Sequence, residues 1–406
     1  MGDSEQFALL VLLASAVGIV AVLSSRLTAR LKVPSPAIVL AGAAVAVEVV
    51  PGIHAPGHAT VGRVVTVALV CVLFDGGMQI GWSRIRAAWR TVAVVGVLGT
   101  FLTAAAVAAI AHAVLGSGWY VAMLVATAVA PTDPAVVFSV LGRLQVPGRA
   151  GTIIAGESGA NDPVGIALMA SLVAAGGVGA GAFAHAAGEF LLQMAVGAAV
   201  GVAGGRSLVW FTRRVALPAE GLYPVRTLAG AMLVFGVASV AHGSGFLAVL
   251  LAGIALGDEP APYKREIEAF HSALASLGEI VAFVVLGLTV RLADLVRPDV
   301  LLPGLAVAAA LALVVRPAVV GPLLARSGLA RNERAFVLFA GLKGAVPILL
   351  GGYLFDAHVH GATRDYSVVV VVVVLSVVVE GSLVPSVARA LRLPVRGVHG
   401  APRARR

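Results

Sequence analysis

The sequence predicts an all-α integral membrane protein with about 13 transmembrane helices, on three observations. Of its 406 residues, 59% are hydrophobic and only 12% charged, and the mean hydropathy is +1.00. Apolar stretches of about 17 to 25 residues, each long enough to cross a hydrocarbon core of roughly 30 Å, recur along the whole chain. Lysine and arginine collect in every second loop between those stretches, as orientation in a bilayer demands.

The stretches run approximately over 7–25, 34–50, 61–80, 91–115, 119–141, 151–175, 190–211, 223–241, 245–256, 272–290, 300–325, 335–355 and 366–391. The ninth is short. Of the 29 lysines and arginines, 23 lie in one set of loops, from Arg26, Arg30 and Lys32 through Arg84, Arg86 and Arg90 to the tail beyond Arg389. The opposite loops hold only Arg63, Arg291, Arg297 and Arg364. The expected topology is a multi-pass protein of the cell (cytoplasmic) membrane with its amino terminus outside and its carboxyl terminus cytoplasmic. The first stretch has no basic region before it, so it is read as a retained helix rather than a signal peptide. A net charge of +9 is accounted for by these loops, and no nucleic-acid partner is expected. The single cysteine, Cys71, excludes an intramolecular disulfide, and the scattered histidines give no ligand spacing for a resident metal.

The chemistry concentrates at Gly156–Pro163, GESGANDP, inside the sixth stretch. An ionised acid at a helix centre costs roughly 2.5 to 3.5 kcal/mol even on insertion-based scales. Glu157 and Asn161 are four apart and share a helix face, with Asp162 one step round. The plain reading is a polar network sealing two helices, and the presence of matching charges elsewhere argues for more.

In the fifth stretch, prolines flank Thr132 and Asp133 in APTDP. Each lacks a donor and disfavours helix before it, so the helix is expected to break there, with Asp133 capping the second half and facing a cavity. In the twelfth, GLKGAVP over Gly341–Pro347 repeats the pattern of glycine, charge and proline around Lys343. Two interrupted helices in corresponding halves point to inverted repeats with a site near the midplane. Arg316, in VRP of the eleventh stretch, needs a buried anion, and Glu157 is the expected partner. Lys343 is expected to pair with Asp75, the acid in LFDGG of the third stretch. The segment 259–275 reads as a membrane-surface linker leading into the tenth stretch. Glu279 lies deeper there with no evident partner, and Glu380 is placed at the interface. The valine run Val368–Val374 would suggest a strand in water but is a helix at this length in a membrane.

These motifs, TDP at Thr132–Pro134, ESGANDP at Glu157–Pro163, VRP at Val315–Pro317 and GLKGAVP at Gly341–Pro347, resemble the monovalent cation/proton antiporter superfamily, sodium/proton exchanger branch. Among bacterial members the chain looks most like potassium/proton antiporters named for cell-volume regulation. The resemblance implies two crossed discontinuous helices and alternating access by a core domain moving against a dimerisation domain, in a homodimer. The whole of 1–391 is the transmembrane antiporter domain. Its core includes 61–175 and 300–391, its dimerisation scaffold 1–50 and 184–257, and 392–406 is a short basic cytoplasmic tail. By the same resemblance Asp162 is the cation- and proton-binding carboxylate and Asn161 its neutral neighbour. Thr132, Asp133 and Ser158 supply or support oxygen ligands, so that the monovalent cation sits at Asp162, Asp133 and Thr132. Glu157 with Arg316 matches the family's buried pair, and Lys343 stands where arginine is common.

The chemistry of the residues agrees. One carboxylate beside an amide holds a proton or a cation but not both, because each neutralises the same charge. Competition at Asp162 gives electroneutral exchange of H+ for Na+ or K+ without a cofactor, suited to pH homeostasis. The alternative is a gated cation channel or a transporter of another small ion. No enzyme is expected, since Ser158 lies outside any nucleophile elbow.

Overall fold

Apolar sequence that cannot leave backbone N–H and C=O groups unpaired in lipid must satisfy them within the segment, and the computed structural model is built of helices accordingly. It describes residues 34–49, 55–134, 136–137, 144–146, 148–393 and 396–397, together with positions 15, 18 and 19. Apart from those positions, the first expected span (7–25) lies outside the described residues. So does the tail beyond Leu393, except 396–397.

The helices are α1 (Ser35–Val49), α2 (His58–Ala93), α3 (Gly99–Leu115), α4 (Trp119–Val129), α5 (Gly148–Ala175), α6 (Ala180–Arg214), α7 (Leu222–Val240) and α8 (Gly245–Gly257). They continue with α9 (Lys264–Gly287), α10 (Pro298–Ala310), α11 (Arg316–Leu323), α12 (Arg331–Phe339), α13 (Ala345–Asp356), α14 (Ala362–Leu375) and α15 (Gly381–Ala390). A two-residue antiparallel pair joins Leu144–Gln145 to Arg396–Gly397. Among the described residues, six helical stretches are long and apolar enough to cross a membrane, and four shorter apolar helices accompany them. The longest, His58–Leu115, contains two of the expected spans. Gly81, at φ 64° and ψ 163°, turns the chain between them, a conformation open to glycine and strained for other residues.

Two features depart from the sequence reading. From Lys264 onward, the segment expected as a surface linker is the first part of a single continuous helix, α9, which already buries Ile267 and His271. Its apolar face packs against α2 and α1, so the amphipathic pattern marks one buried side of a spanning helix. The helical run is also interrupted three times by π-helical turns, at Val94–Leu98, Leu311–Val315 and Ser376–Glu380, which no residue pattern signalled.

Burial divides the helices by role. Val368–Val373 of α14 are all buried, so this part of the valine run packs against protein. By contrast α6 leaves Phe183, Leu191, Leu192 and Trp210 exposed, the surface expected of a helix that faces lipid. The short α8 does not face lipid. It lies between α2 and α6 with Ala248, Val249 and Ala252 fully buried, and its Ser244 cap accepts from Leu247 N–H at 3.3 Å.

The contact of α8 with α2 is backbone on backbone. A Cβ added at Gly77 would lie 2.6 Å from the Leu250 carbonyl oxygen, and one at Gly253 would lie 3.2 Å from the Gly77 Cα. Gly77→Ala is therefore expected to destabilise the detergent-solubilised protein by about 1–3 kcal/mol through overpacking. Gly76→Ala, whose added Cβ meets nothing within 4 Å, should leave the thermal midpoint unchanged or raise it. Equal midpoints for the two variants would contradict this packing.

Candidate functional site

Prolines set the geometry of the site. Helix α4 ends at Val129, Pro131–Asp133 lie outside any helix, and helix resumes at Pro134. Across from it, α12 ends at Phe339, Gly341–Gly344 lie outside any helix, and α13 begins at Ala345. The two interruptions meet: Asp133 N–H donates to the Leu342 carbonyl at 2.7 Å.

A helix broken in mid-membrane leaves carbonyls without partners at one cut end and N–H groups at the other, with the corresponding partial charges. Each cut end finds a charge. Proline at position 134 cannot donate to the Ala130 carbonyl, as residue i would to i−4, and Lys343 takes over: its Nζ donates to Ala130 O at 2.9 Å and Pro131 O at 3.0 Å. Arg316 does the same for the end of α12, donating from Nε to Leu338 O at 2.6 Å and from Nη2 to Val337 O at 3.0 Å. At the opposite pole, the Asp133 carboxylate occupies the space that a Gly344 side chain would need. It thus lies at the start of α13 while preceding the helix that begins at Pro134. Gly341 is similarly required, because the Arg316 guanidinium fills the position of its missing side chain.

Helix α5 carries the remaining polar groups into this crossing. Arg316 Nη1 lies 2.9 Å from Glu157 Oε1 and Nη2 lies 3.3 Å from Oε2, a bidentate pair with both residues buried. Asn161 Nδ2 donates to Thr132 Oγ1 at 2.8 Å, its Oδ1 accepts from Thr132 N–H at 3.3 Å, and Ser158 Oγ donates to Thr132 O at 2.5 Å. These three bonds engage the N–H, the C=O and the hydroxyl of Thr132. Asp162, one residue further, is also buried, yet its Oδ1 is sealed from solvent with no hydrogen-bond partner among the described residues.

Thus Asp162, Asn161, Asp133, Thr132, Ser158, Glu157, Arg316 and Lys343 converge on one crossing, but Asp75 does not pair as expected. Asp75 is buried and accepts from Gln79 Nε2 at 2.6 Å, while Lys343 is committed to backbone carbonyls. The correction has a simple cause: the freed carbonyl ends of α4 lie nearer to Lys343 and carry no mark in the sequence. Sequence reasoning also missed Ser376 and Glu380. Ser376 Oγ accepts from Lys343 N–H at 3.0 Å and donates to Glu380 Oε2 at 2.5 Å, so Glu380 supports the crossing and is only partly exposed. Both residues bound a π-helical turn, another such turn immediately precedes Arg316, and the third contains Gly96, which lies against Ala160 and Glu157. π-Helical turns gather at functional sites, which makes them the structural signal that the sequence lacked.

Arrangements of this kind leave one carboxylate free to bind. Asn161, Thr132 and Ser158 satisfy one another, Glu157 is balanced by Arg316, and Asp162 is left with a buried oxygen unsatisfied among the described residues. A buried carboxylate without a partner is costly, and either a proton or a cation would relieve it.

A family model described as "Sodium/hydrogen exchanger, transmembrane" matches residues 12–390. The chain is 34% identical over 339 residues to the K(+)/H(+) antiporter NhaP of Alkalimonas amylolytica, covering 81% of this chain and 57% of that protein. It is 32% identical over 381 residues to the K(+)/H(+) antiporter NhaP2 of Shewanella oneidensis, covering 92% and 65%. The chain therefore spans roughly three fifths of the length of these relatives. Among solved structures it is similar to the sodium proton antiporter MjNhaP1 of Methanocaldococcus jannaschii at pH 8, with a TM-score of 0.76 at 21% identity over 92% of this chain and 99% of that one.

Breaking the buried pair is the sharpest test of this electrostatic arrangement. Arg316→Met is expected to cost about 3–5 kcal/mol, because it strands Glu157 and two helix-end carbonyls. Adding Glu157→Gln to Arg316→Met should recover part of that loss in thermal midpoint. A single variant as stable as the parent would contradict the pairing.

Proposed function

The chain belongs to the sodium/hydrogen exchanger family, and we propose that it exchanges a monovalent cation, K+ or Na+, for H+ by alternating access, with both ions competing for Asp162. The observation that carries this reading is the buried Asp162 Oδ1, which has no hydrogen-bond partner among the described residues, beside a Glu157 that is balanced by Arg316. The names of the K(+)/H(+) antiporter relatives support it.

Each residue then has a distinct task. Asp162 holds the proton or the cation. Thr132 and Asp133 lend oxygen atoms to the cation, and Ser158 and Asn161 hold the peptide that presents them. Glu157 with Arg316, and Lys343 on the freed carbonyls, neutralise the cut helix ends, so that Asp162 is the charge left to be compensated. Loading it with either ion gives the same net charge, which makes exchange electroneutral and one for one.

Alternating access needs a moving body and a fixed one. The core over 61–175 and 300–391 carries every residue of the crossing, and the scaffold over 1–50 and 184–257 carries none. We assign the scaffold to dimerisation in a homodimer, with about 13 spans arranged as inverted repeats, the amino terminus outside and the carboxyl terminus cytoplasmic. The lipid-type face of α6, which leaves Phe183, Leu191, Leu192 and Trp210 exposed, suits that role.

Exchange in proteoliposomes with an entrapped pH dye tests the reading. K+ or Na+ added outside is expected to move protons in the parent chain and to move none in Asp162→Asn, with that variant still folded by its thermal midpoint. Transport surviving Asp162→Asn would sink the assignment.

A further inference from the structure

One hydrogen bond at the crossing runs against the habit of its residue type. A serine inside a helix that bonds to its own backbone gives its proton to the carbonyl four residues earlier. Ser171 does so to Ala167 at 2.7 Å, and Ser367, in the helix that leads to Ser376, does so to Thr363 at 2.8 Å. Ser376 instead donates forward, to Glu380 Oε2 at 2.5 Å, and accepts from Lys343 N–H at 3.0 Å. The two side chains stand at the ends of the π-helical turn Ser376–Glu380.

A hydroxyl has one proton, and where that proton goes decides where its lone pairs point. An ionised carboxylate only accepts, and a hydrogen bond to it is stronger than one to a neutral carbonyl. Glu380 therefore holds the Ser376 proton against the competing Val372 carbonyl, and the lone pairs are left for Lys343 N–H. Without the carboxylate, Ser376 is free to take the arrangement of Ser171 and Ser367, and a buried N–H loses its acceptor.

That N–H belongs to a segment pinned residue by residue. The Arg316 guanidinium fills the place of a Gly341 side chain, Leu342 O accepts from Asp133 N–H, and Ser376 holds Lys343 N–H. Gly381, next to Glu380, lies against Leu342, whose Cδ2 is 3.4 Å from an added Cβ. The Lys343 ammonium sits on Ala130 O and Pro131 O. The next residue, Thr132, is bonded to Asn161, the sequence neighbour of Asp162. A positive charge let go by the α4 carbonyls thus has a carboxylate close at hand whose Oδ1 has no hydrogen-bond partner among the described residues.

We infer that Glu380 is a positioning residue for the exchange: by taking the Ser376 proton it aims the hydroxyl at Lys343 N–H, and so keeps the Lys343 ammonium on the α4 carbonyls and off Asp162. This rests on the antiporter reading above and adds to it the device that stops the protein's own cation from occupying the site. Glu380 touches neither transported ion. Its loss turns Lys343 into a tethered rival for Asp162, which weakens cation capture without changing the carboxylate that does the exchange.

The test compares the full chain with Glu380→Ala, Ser376→Ala, their double variant and Glu380→Gln in proteoliposomes. The pH dye is followed with K+ and with Na+, at a pH above which KM no longer falls, so that the proton is not the competitor measured. Glu380→Ala and Ser376→Ala are each expected to raise the apparent KM for the cation about tenfold while the maximal rate stays within about twofold. Because the two side chains act as one chain of bonds, the double variant should match either single one, where independent effects would multiply to about a hundredfold. Glu380→Gln keeps an acceptor oxygen without the charge and should raise KM about threefold. An unchanged KM in Glu380→Ala, a fallen maximal rate at unchanged KM, or a hundredfold rise in the double variant overturns the inference. If the alanine variants do not fold, Glu380→Gln decides, and an unchanged KM there refutes it. Should the parent exchange neither cation, the antiporter reading fails by itself. Stabilisation of the detergent-solubilised protein by K+ or Na+ then judges Glu380 separately: half-saturation at the same concentration in parent and Glu380→Ala, or no stabilisation of the parent, would refute its role.

Discussion

Two helices cut open in the middle of a membrane can coexist only if the four cut ends are compensated, and much of this structure serves that constraint. The cut places carbonyl ends at Ala130–Pro131 and Val337–Leu338, and amide ends at Pro134 and Ala345. Lys343 and Arg316 bind the first pair, and Asp133 lies against Gly344 beside the second pair. Because Lys343 and Asp133 each belong to one broken helix and serve the end of the other, neither interruption is stable without its partner. The Asp133 N–H bond to Leu342 O joins them directly. Helix α5 then closes the arrangement: Glu157 neutralises Arg316, while Asn161 and Ser158 hold the Thr132 peptide.

Function follows from what this compensation leaves over. Were every charge at the crossing paired, the site would be inert. Asp162 instead retains a buried oxygen with no hydrogen-bond partner among the described residues, beside a Glu157–Arg316 pair that is already matched. On the proposed reading, such a carboxylate has a small set of stable states, each with one positive ion bound, and the ions replace each other. Close helix contacts such as that of Gly77 with α8 hold the frame's neighbours at backbone distance, and α6 leaves Phe183, Leu191, Leu192 and Trp210 exposed.

The fold class and most of the site were legible in the sequence for physical reasons. Apolar length and the arginine-rich loops mark spans because lipid tolerates little else, and prolines around Thr132 and Asp133 and before Ile348 mark breaks because they cannot donate. Arg316 and Glu157 could be matched because a permanently charged guanidinium inside a membrane requires an anion. The partner of Lys343 could not be read in the same way. Its ligands are backbone carbonyls at Ala130 and Pro131, which any residue type supplies. Glu380 was read as interfacial from its position near the helix end, whereas a π-helical turn aligns Ser376 with it and links both to Lys343. The start of α9 misled because an amphipathic pattern looks the same on a membrane surface and on a spanning helix with one buried side.

Proton release on cation binding addresses the central claim most directly. Purified protein in weakly buffered detergent solution, with a pH dye present, would receive K+ or Na+ at constant ionic strength, and the protons set free would be counted against protein. The expected result is close to one proton released per chain, saturating with the cation and absent in Asp162→Asn. Cation binding, seen as thermal stabilisation, that releases no proton would contradict competition at a single carboxylate and with it the exchange mechanism.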